Sequence, residues 1–260
     1  MRLNNEIAIV TGSGQGIGQQ IALSLAQEGA VVVIADINEK GSSETAEMIS
    51  QNYGSKVKII PTDIAYEAQV VNMIKGTLEI DNRIDILVNN AGVPGPINNI
   101  EDITLEEWEA TMAVNLRGMF LCCKYVVPIM KRQKKGNIIN ISSMTGKRPM
   151  PQRTPYAATK MAVIGLTRSL AAEVGKWKIR VNAVCPGAVA GPRLNKVLEG
   201  IMQQSGKSWD QVVAEMAEGS ALKSFVDPKY IGAIVAFLCS ENAAMMTGQD
   251  INVSAGIVMY

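Results

Sequence analysis

The sequence contains no histidine among its 260 residues. This absence excludes the Ser-His-Asp triad, the Cys-His dyad and most zinc sites, because each of them uses an imidazole. We therefore expect no metal site. Any acid–base chemistry must come from tyrosine, lysine, aspartate, glutamate or cysteine.

Cysteine, net charge and long apolar runs are also scarce. The four cysteines show no CxxC spacing and lie in apolar stretches, which predicts buried thiols in a reducing compartment rather than disulfides. The 25 basic and 24 acidic residues nearly cancel, so we expect neither a nucleic acid nor a membrane surface as a partner. We find no signal-peptide start and no uninterrupted apolar run of about 18 residues, and so we predict a cytoplasmic protein.

Short apolar runs alternate with longer segments of helical period. The runs consist mainly of Val, Ile and Ala, as in strands that helices cover on both faces. We predict a three-layer, Rossmann-type, doubly wound α/β fold with a seven-stranded, mostly parallel sheet and helices on both faces. The predicted strands are Ile7–Val10, Val31–Ala35, Val57–Pro61, Ile84–Asn89, Gly136–Ser142, Arg180–Cys185 and Asp250–Val253. The predicted helices are Gly16–Gln27, Lys40–Gln51, Glu67–Leu78, Leu105–Met130, Tyr156–Val174 and Pro228–Leu238.

No repeat, low-complexity tract or Pro/Gly linker divides the chain, so we predict one domain over residues 1–260. Within it, the segment 193–225 is polar and has no strand pattern. We predict that it forms a helical flap beside the carboxyl edge of the sheet, where open α/β sheets bind ligands.

A glycine-rich loop joins the first predicted strand to the first helix. Gly12, Gly16 and Gly18 follow the pattern GxxxGxG, and glycine lets a backbone approach a pyrophosphate at a helix N-terminus. Asp36 ends the second strand, where a carboxylate accepts hydrogen bonds from an adenosine ribose and repels a 2′-phosphate. The two features predict NAD rather than NADP. The alternative is an ordinary turn, with Asp36 as a helix cap.

Tyr156 and Lys160 lie four positions apart in a predicted helix, so their side chains share a face. A neighbouring ammonium favours phenolate over phenol, and a lowered pKa would let Tyr156 exchange protons near neutral pH. Ser142 and Ser143 precede this pair, and alternation along a strand turns Ser142 away from Ser143. By itself, a YxxxK pair is also compatible with surface packing.

Six motifs stand in order along nearly the whole chain. They are Thr11–Gly18 (TGxxxGxG), Asn89–Gly92, Asn115, Ser143, Tyr156 with Lys160, and Pro186–Gly187. In this order and spacing, the chain resembles the short-chain dehydrogenases/reductases of the compact, single-domain type. One departure is Val253–Gly256, which reads VSAG where the family often has VDGG in a segment of subunit contacts.

The resemblance implies a role for each matching residue. In the implied catalytic set, Ser143 steadies the substrate oxygen, Tyr156 exchanges its proton, Lys160 binds the nicotinamide ribose, and Asn115 holds a water. Tyr156 and Lys160 are also implied to bind the cofactor. The other implied cofactor-binding residues are Gly12, Gln15, Gly16, Ile17, Gly18, Asp36, Ile37, Asp63, Ile64, Asn90, Ala91, Gly92, Pro186, Gly187 and Val189. The resemblance also implies a homotetramer.

The implied activity is NAD-dependent hydride transfer between the nicotinamide and an alcohol or carbonyl of a small polar substrate. The expected substrate-pocket residues are Ser143, Met144, Arg148, Arg153 and Arg193. The arginines would suit an anionic substrate, and a neutral polyol or hydroxyketone is also compatible. The alternatives are an NADP-type 3-oxoacyl or ketone reductase and a non-catalytic NAD-binding scaffold.

Overall fold

Seven strands form a single sheet in the computed structural model, in the order β3-β2-β1-β4-β5-β6-β7. Every pairing between neighbours is parallel, so the predicted α/β fold is confirmed and the sheet is parallel throughout. The structure describes residues 1–260, apart from the side chains of Arg193, Lys196 and Gln204. The strands are β1 Ile7–Thr11, β2 Val31–Ala35, β3 Val57–Ile59, β4 Ile86–Asn89, β5 Gly136–Ile141, β6 Ile179–Pro186 and β7 Asp250–Val253.

Helices cover both faces of the sheet. One face packs against α1, α2 and α9, and the other packs against α3, α5 and α6. Each predicted strand and helix is present, with ends that differ by at most three residues. The helices are α1 Gly16–Gln27, α2 Glu39–Tyr53, α3 Glu67–Asp81, α4 Leu105–Met112, α5 Met119–Gln133, α6 Thr154–Val174, α7 Pro192–Ser205, α8 Trp209–Glu218 and α9 Pro228–Cys239.

A π-helical segment, Ala113–Gly118, joins α4 to α5. Together they make a continuous 29-residue helix that is, by length and composition, the one helix of the described residues able to cross a membrane. Within this fold it is a core helix: Cys122, Val126 and Met130 are fully buried against the sheet. The period of the sequence predicts the helix but gives no sign of its wider turn.

Buried polar contacts fix α6 relative to the centre of the sheet. The Asn89 amide of β4 donates to Asn140 Oδ1 of β5 at 2.9 Å, and the Asn140 amide donates to Thr167 Oγ1 of α6 at 2.9 Å. All three residues are buried. Because α6 also carries Tyr156 and Lys160, this chain of contacts sets the position of both side chains.

The cysteines match the prediction of buried thiols. Cys122, Cys123, Cys185 and Cys239 are all free and buried. Burial raises the pKa of Cys123 to about 12 and that of Cys239 to about 12. They are therefore neutral thiols at physiological pH, suited to packing rather than to nucleophilic chemistry.

Candidate active site

The predicted site residues collect at the carboxyl edge of the sheet. β1 lies between β2 and β4, so the loops that leave β1 and β4 depart side by side where the strand order reverses. Doubly wound sheets bind their ligands in the crevice at such a point. The glycine-rich loop follows β1, and Asn90–Gly92 follow β4.

The two loops are held together by Thr11 and Asn90. Thr11 Oγ1 accepts hydrogen bonds from the N–H groups of Asn90 (3.0 Å) and Ala91 (3.1 Å). The Asn90 amide donates in return to Thr11 O (2.9 Å) and Gly12 O (2.8 Å). A Cβ on Gly18 would lie 2.0 Å from Gly12 O, so only glycine fits there. Thr11 belongs to the TGxxxGxG motif, but the pattern alone did not predict that its hydroxyl joins the two loops.

The start of α1 is shaped to receive a phosphate group. Gly16 has a φ of +59°, and no atom lies within 4 Å of the position that its Cβ would occupy. The backbone is thus open at the helix N-terminus, where N–H groups and the helix dipole favour an anion. A cavity of about 420 Å³ lies here, bounded by Gly14–Gly16, the start of α2 and the loop Ala190–Pro192. These residues fit the pyrophosphate of a dinucleotide.

A second cavity, of about 590 Å³, lies near the amino ends of β2 and β3. None of the residues that line it belongs to the predicted site. Because ligands of doubly wound sheets bind at the carboxyl edge, the cavity beside the glycine-rich loop is the better candidate.

Asp36 joins the glycine-rich loop to β2. Its carboxylate accepts hydrogen bonds from Gly14 N (2.7 Å) and Asn38 N (2.8 Å). The cap of α2 is Asn38, whose Oδ1 accepts from Gly41 N at 3.0 Å. The alternative hypothesis that Asp36 caps α2 is therefore wrong. Its carboxylate is half-buried beside the loop, and the neighbouring Ile37 is 73% exposed.

Asp63 and Ile64, two of the cofactor-binding residues that the resemblance implies, follow β3. Asp63 Oδ1 accepts a hydrogen bond from Ala65 N at 2.9 Å, and Ile64 is buried. A Cβ on Gly118 would lie 2.7 Å from the Ile64 side chain, so the π segment packs against this loop.

Lys160 stands between Tyr156 and the end of β5. Its Nζ donates to Ile141 O at 2.9 Å and lies 5.5 Å from the centroid of the Tyr156 ring. Lys160 is only 4% exposed, while Tyr156 is half-exposed. The predicted juxtaposition of the phenol and the ammonium is present. A buried ammonium at this distance favours the phenolate.

Asn115 lies in the π segment and is fully buried. Its Oδ1 accepts from Val93 N (2.7 Å), and its Nδ2 donates to Val93 O (3.0 Å) and Thr159 Oγ1 (3.3 Å). The side chain thus fixes the loop after β4 to α6, a contact that the sequence did not suggest; its predicted role of holding a water stays a prediction. A Cβ on Gly92 would lie 3.1 Å from Asn115 Oδ1 and 3.7 Å from Lys160 Nζ. π segments of this kind are frequent at functional sites.

The two serines take different directions, as predicted. β5 ends at Ile141, one residue earlier than expected. Ser142 Oγ donates to Lys160 O at 2.7 Å and so faces α6. Ser143 Oγ accepts from Thr145 N at 3.1 Å and starts the short 3₁₀ turn Met144–Gly146. This turn lies directly against α6, because a Cβ on Gly146 would be 2.7 Å from the Lys160 carbonyl.

Pro186 and Gly187 close the far side of the site at the end of β6. Gly187 N donates to Val253 O at 2.9 Å, and a Cβ on Gly187 would lie 2.7 Å from Ser254 Cα. Glycine is therefore needed for the close approach to β7. Val189 pairs in parallel with Val226 beyond the strand.

The described side chains among the arginines predicted to border the substrate have different surroundings. The Arg153 guanidinium donates to Pro94 O at 2.8 Å and lies 5.0 Å from the Tyr156 ring centroid. Arg148 is exposed and Met144 is half-buried, while the Arg193 side chain lies outside the described residues. Lys147 points away from the site and forms an ion pair with Asp250 at 2.6 Å.

Comparison with known proteins places this geometry in a family. A family model described as Enoyl-(Acyl carrier protein) reductase matches residues 12–258. An uncharacterized oxidoreductase of Thermotoga maritima is 38% identical over 258 residues, which cover 98% of each chain. A 3-oxoacyl-[acyl-carrier-protein] reductase of Staphylococcus epidermidis is 36% identical over 258 residues, covering 98% of this chain and all of the relative.

Solved structures agree with the sequence relatives. An NAD⁺-bound xylitol dehydrogenase superposes with a TM-score of 0.92 at 27% identity, over 98% of this chain and 100% of that one. L-sorbose reductase from Gluconobacter frateurii, complexed with NADPH and L-sorbose, superposes with a TM-score of 0.95 at 28% identity over the whole of both chains. With its glycine-rich loop, Tyr156–Lys160 pair and parallel sheet, the chain belongs to the short-chain dehydrogenase/reductase family and is an oxidoreductase of that type.

Proposed function

We propose that this protein is an NAD-dependent oxidoreductase that interconverts an alcohol and a carbonyl on a small polar substrate, with Tyr156 as the acid–base group. The observation that carries the proposal is the position of Lys160. Its ammonium is held by Ile141 O, lies 5.5 Å from the Tyr156 ring, and borders Gly92 at the end of β4. The buried ammonium of Lys160 therefore lies beside both Tyr156, the proposed base, and Gly92, in the loop proposed to bind the cofactor.

In the proposed mechanism, the loop Gly12–Gly18, Asp36 and Asn90–Gly92 would hold the dinucleotide. When bound, its nicotinamide supplies the hydride chemistry. Tyr156 Oη takes the hydroxyl proton of the alcohol, or returns one to the carbonyl oxygen in the reverse direction. Lys160 stabilises the phenolate that does so, and Ser143 Oγ, on the turn that packs against Lys160, steadies the substrate oxygen.

Asp36 supports NAD over NADP. Its half-buried carboxylate accepts hydrogen bonds from two backbone N–H groups, and turning it aside for a 2′-phosphate would break both. Repulsion between the two anions at ~5 Å and an effective dielectric of ~20, partly screened by solvent, amounts to ~2 kcal/mol, or ~30-fold in kcat/KM. Asp36→Ser should reduce that preference for NAD.

The contacts of Arg153 and the exposure of Arg148 favour a neutral polar substrate over an anion. The guanidinium of Arg153 is already used by Pro94 O and the Tyr156 ring, and Arg148 projects into solvent. Xylitol and L-sorbose, which appear in the names of similar structures, are neutral and polyhydroxylated. We therefore propose a small polyol, sugar or hydroxyketone.

A reductase working mainly towards the alcohol with NADPH is the second candidate. It is favoured by the similarity to a 3-oxoacyl-[acyl-carrier-protein] reductase and by the NADPH named for L-sorbose reductase. The position of Asp36 argues against it. The nucleotide preference of the purified enzyme separates the two candidates.

We also propose that the protein is a cytoplasmic homotetramer. Phe120 of α5 and Met161 of α6 are 50% and 56% exposed on the same side of the sheet, where a second subunit would cover them. A monomeric mass at micromolar concentration would contradict this assembly.

The test is a panel of matched neutral and anionic alcohols, assayed by NADH formation with NAD and repeated with NADP. We expect turnover of neutral polyols with NAD and at least ~30-fold lower kcat/KM with NADP. Equal rates with both nucleotides would contradict the proposal that Asp36 selects NAD over NADP. Faster turnover of the anionic alcohols would instead indicate that arginines bind an anionic group of the substrate.

A further inference from the structure

Arg153 has a place in the site that the family motif does not assign. It stands three residues before Tyr156, immediately before α6 begins. Its guanidinium carbon lies 5.0 Å from the centroid of the Tyr156 ring, compared with 5.5 Å for Lys160 Nζ. The phenol is thus flanked by two cations, one from each direction along the chain.

The same guanidinium also holds the loop after β4. One of its nitrogens donates to Pro94 O at 2.8 Å. Close by, Asn98 N donates to Gln152 O at 3.1 Å, so two contacts join residues 94–98 to the segment that precedes α6. At its other end this loop is fixed by Asn115 through both backbone atoms of Val93.

We propose that Arg153 is a positioning residue that acts as a second cation beside Tyr156 and fastens the loop 93–99 against it. A guanidinium remains charged at every relevant pH. It can stack on an aromatic ring while an N–H group in its own plane donates to a carbonyl. Lysine offers the charge without that planar fork. Both actions of Arg153 therefore depend on the shape of its head group as well as on its charge.

The proposed electrostatic effect of Arg153 depends on the charged groups that lie near the Tyr156 phenol. Arg153 and Lys160 supply positive charge from α6 and the residue that precedes it. The loop 93–99 contains no ionisable side chain, and Asn115 of the π segment is a neutral amide bonded to Val93 and Thr159. Helix α4 also packs against α6, and its carboxylates, Glu106, Glu107 and Glu109, are exposed to solvent. Removing Arg153 takes away one of these two positive charges, which disfavours the phenolate and raises the pKa of Tyr156. Because Arg153 is half-exposed, we expect a rise of about one pH unit, the lower end of the effect of a neighbouring charge.

The first test titrates Tyr156 itself, in the absence of cofactor. The ultraviolet absorption of tyrosinate is followed with pH in Arg153→Met, Arg153→Lys and the unmodified protein. Each is paired with its Tyr156→Phe counterpart, so that the difference reports one tyrosine of the six in the chain. Arg132→Met, which removes an exposed arginine near the end of α5, is the matched control.

We expect the midpoint for Tyr156 to rise by about one pH unit in Arg153→Met, and by less than half of that in Arg153→Lys and Arg132→Met. An unchanged midpoint in Arg153→Met would overturn the electrostatic half of the proposal. Although the inference rests on the proposed function for its kinetic meaning, this readout needs no turnover. It therefore succeeds or fails independently of whether the protein oxidises alcohols with NAD.

Hydrogen exchange of the peptide that contains residues 93–99 tests whether Arg153 holds this loop in place. We expect the amides of Val93 and Asn98 to exchange at least ~3-fold faster in Arg153→Met, and Arg153→Lys to behave similarly because it lacks the planar fork. Unchanged exchange in both variants would show that the loop is held without Arg153. If Arg153→Met does not fold, Arg153→Lys still decides this point.

Discussion

Replacing Lys147 by methionine should destabilise the fold far more than the loss of an ordinary surface lysine. The Lys147 side chain is 8% exposed and its partner Asp250 is 12% exposed, with 2.6 Å between Nζ and the carboxylate. The same ammonium donates to the main-chain oxygens of Asp250 (3.0 Å) and Tyr260 (2.9 Å). Removing one member of a buried ion pair typically costs about 3–5 kcal/mol. Arg168 remains bonded to Asp250 Oδ1, so we take the lower limit, about 3 kcal/mol.

This free energy corresponds to a measurable fall in Tm. An unfolding entropy of about 2.1 cal/mol/K per residue gives about 0.55 kcal/mol/K for 260 residues, and 3 kcal/mol then lowers Tm by about 5 °C. The assay is thermal unfolding followed by circular dichroism at one protein concentration. The matched control is Lys207→Met. Its ion pair with Glu215 has the similar length of 2.7 Å, but the two side chains are 44% and 58% exposed, so we expect about 1 °C or less. Equal shifts in the two variants would refute the reasoning from burial.

Three further outcomes follow from the geometry. Tyr156→Phe should lower kcat by ~10²–10⁴-fold with little change in Tm, as measured by NADH formation and thermal unfolding. Gly18→Ala should abolish dinucleotide binding or folding, because its Cβ would lie 2.0 Å from a backbone oxygen; Gly165→Ala, where that position is open, should leave nucleotide affinity unchanged by calorimetry. Burial acts to raise the pKa of Asp250, but hydrogen bonds from Lys147 and Arg168 outweigh it and hold the pKa below its usual value. Its contribution to stability is therefore present above pH ~4 and lost as the pH falls further, so Tm should drop more between pH 5 and pH 3 in the unmodified protein than in Asp250→Asn.

The sequence predicted the strands, helices and principal site pairs because their causes are local. Continuous apolar runs mark the strands, and glycines at fixed spacing mark the turn into α1. Likewise, Tyr156 and Lys160 share a helical face whatever surrounds them. The family resemblance added Asn115 and Ser143, which no period or propensity would single out.

What the sequence did not reveal depends on contacts between distant segments. Lys147 and Arg153 both lie between Ser143 and Tyr156, and at the sequence level both are basic residues in a loop near the site. Only the fold separates them, since β7 brings Asp250 to Lys147 while the loop after β4 brings Pro94 O to Arg153. Asn115 similarly finds Val93, 22 residues away, because α5 packs beside β4.

The π segment also limits how the protein can change in length. A π turn holds one more residue than an α turn, so deleting any single residue of Ala113–Gly118 would let the helix relax to regular geometry. Such a deletion would leave α4 and α5 close to their present relative orientation but remove the wide turn that presents the Asn115 amide to Val93. Elsewhere on a surface helix the loss of one residue is often absorbed at the nearest loop. Here the length of one turn is tied to the site, so this stretch should tolerate substitution much better than insertion or deletion.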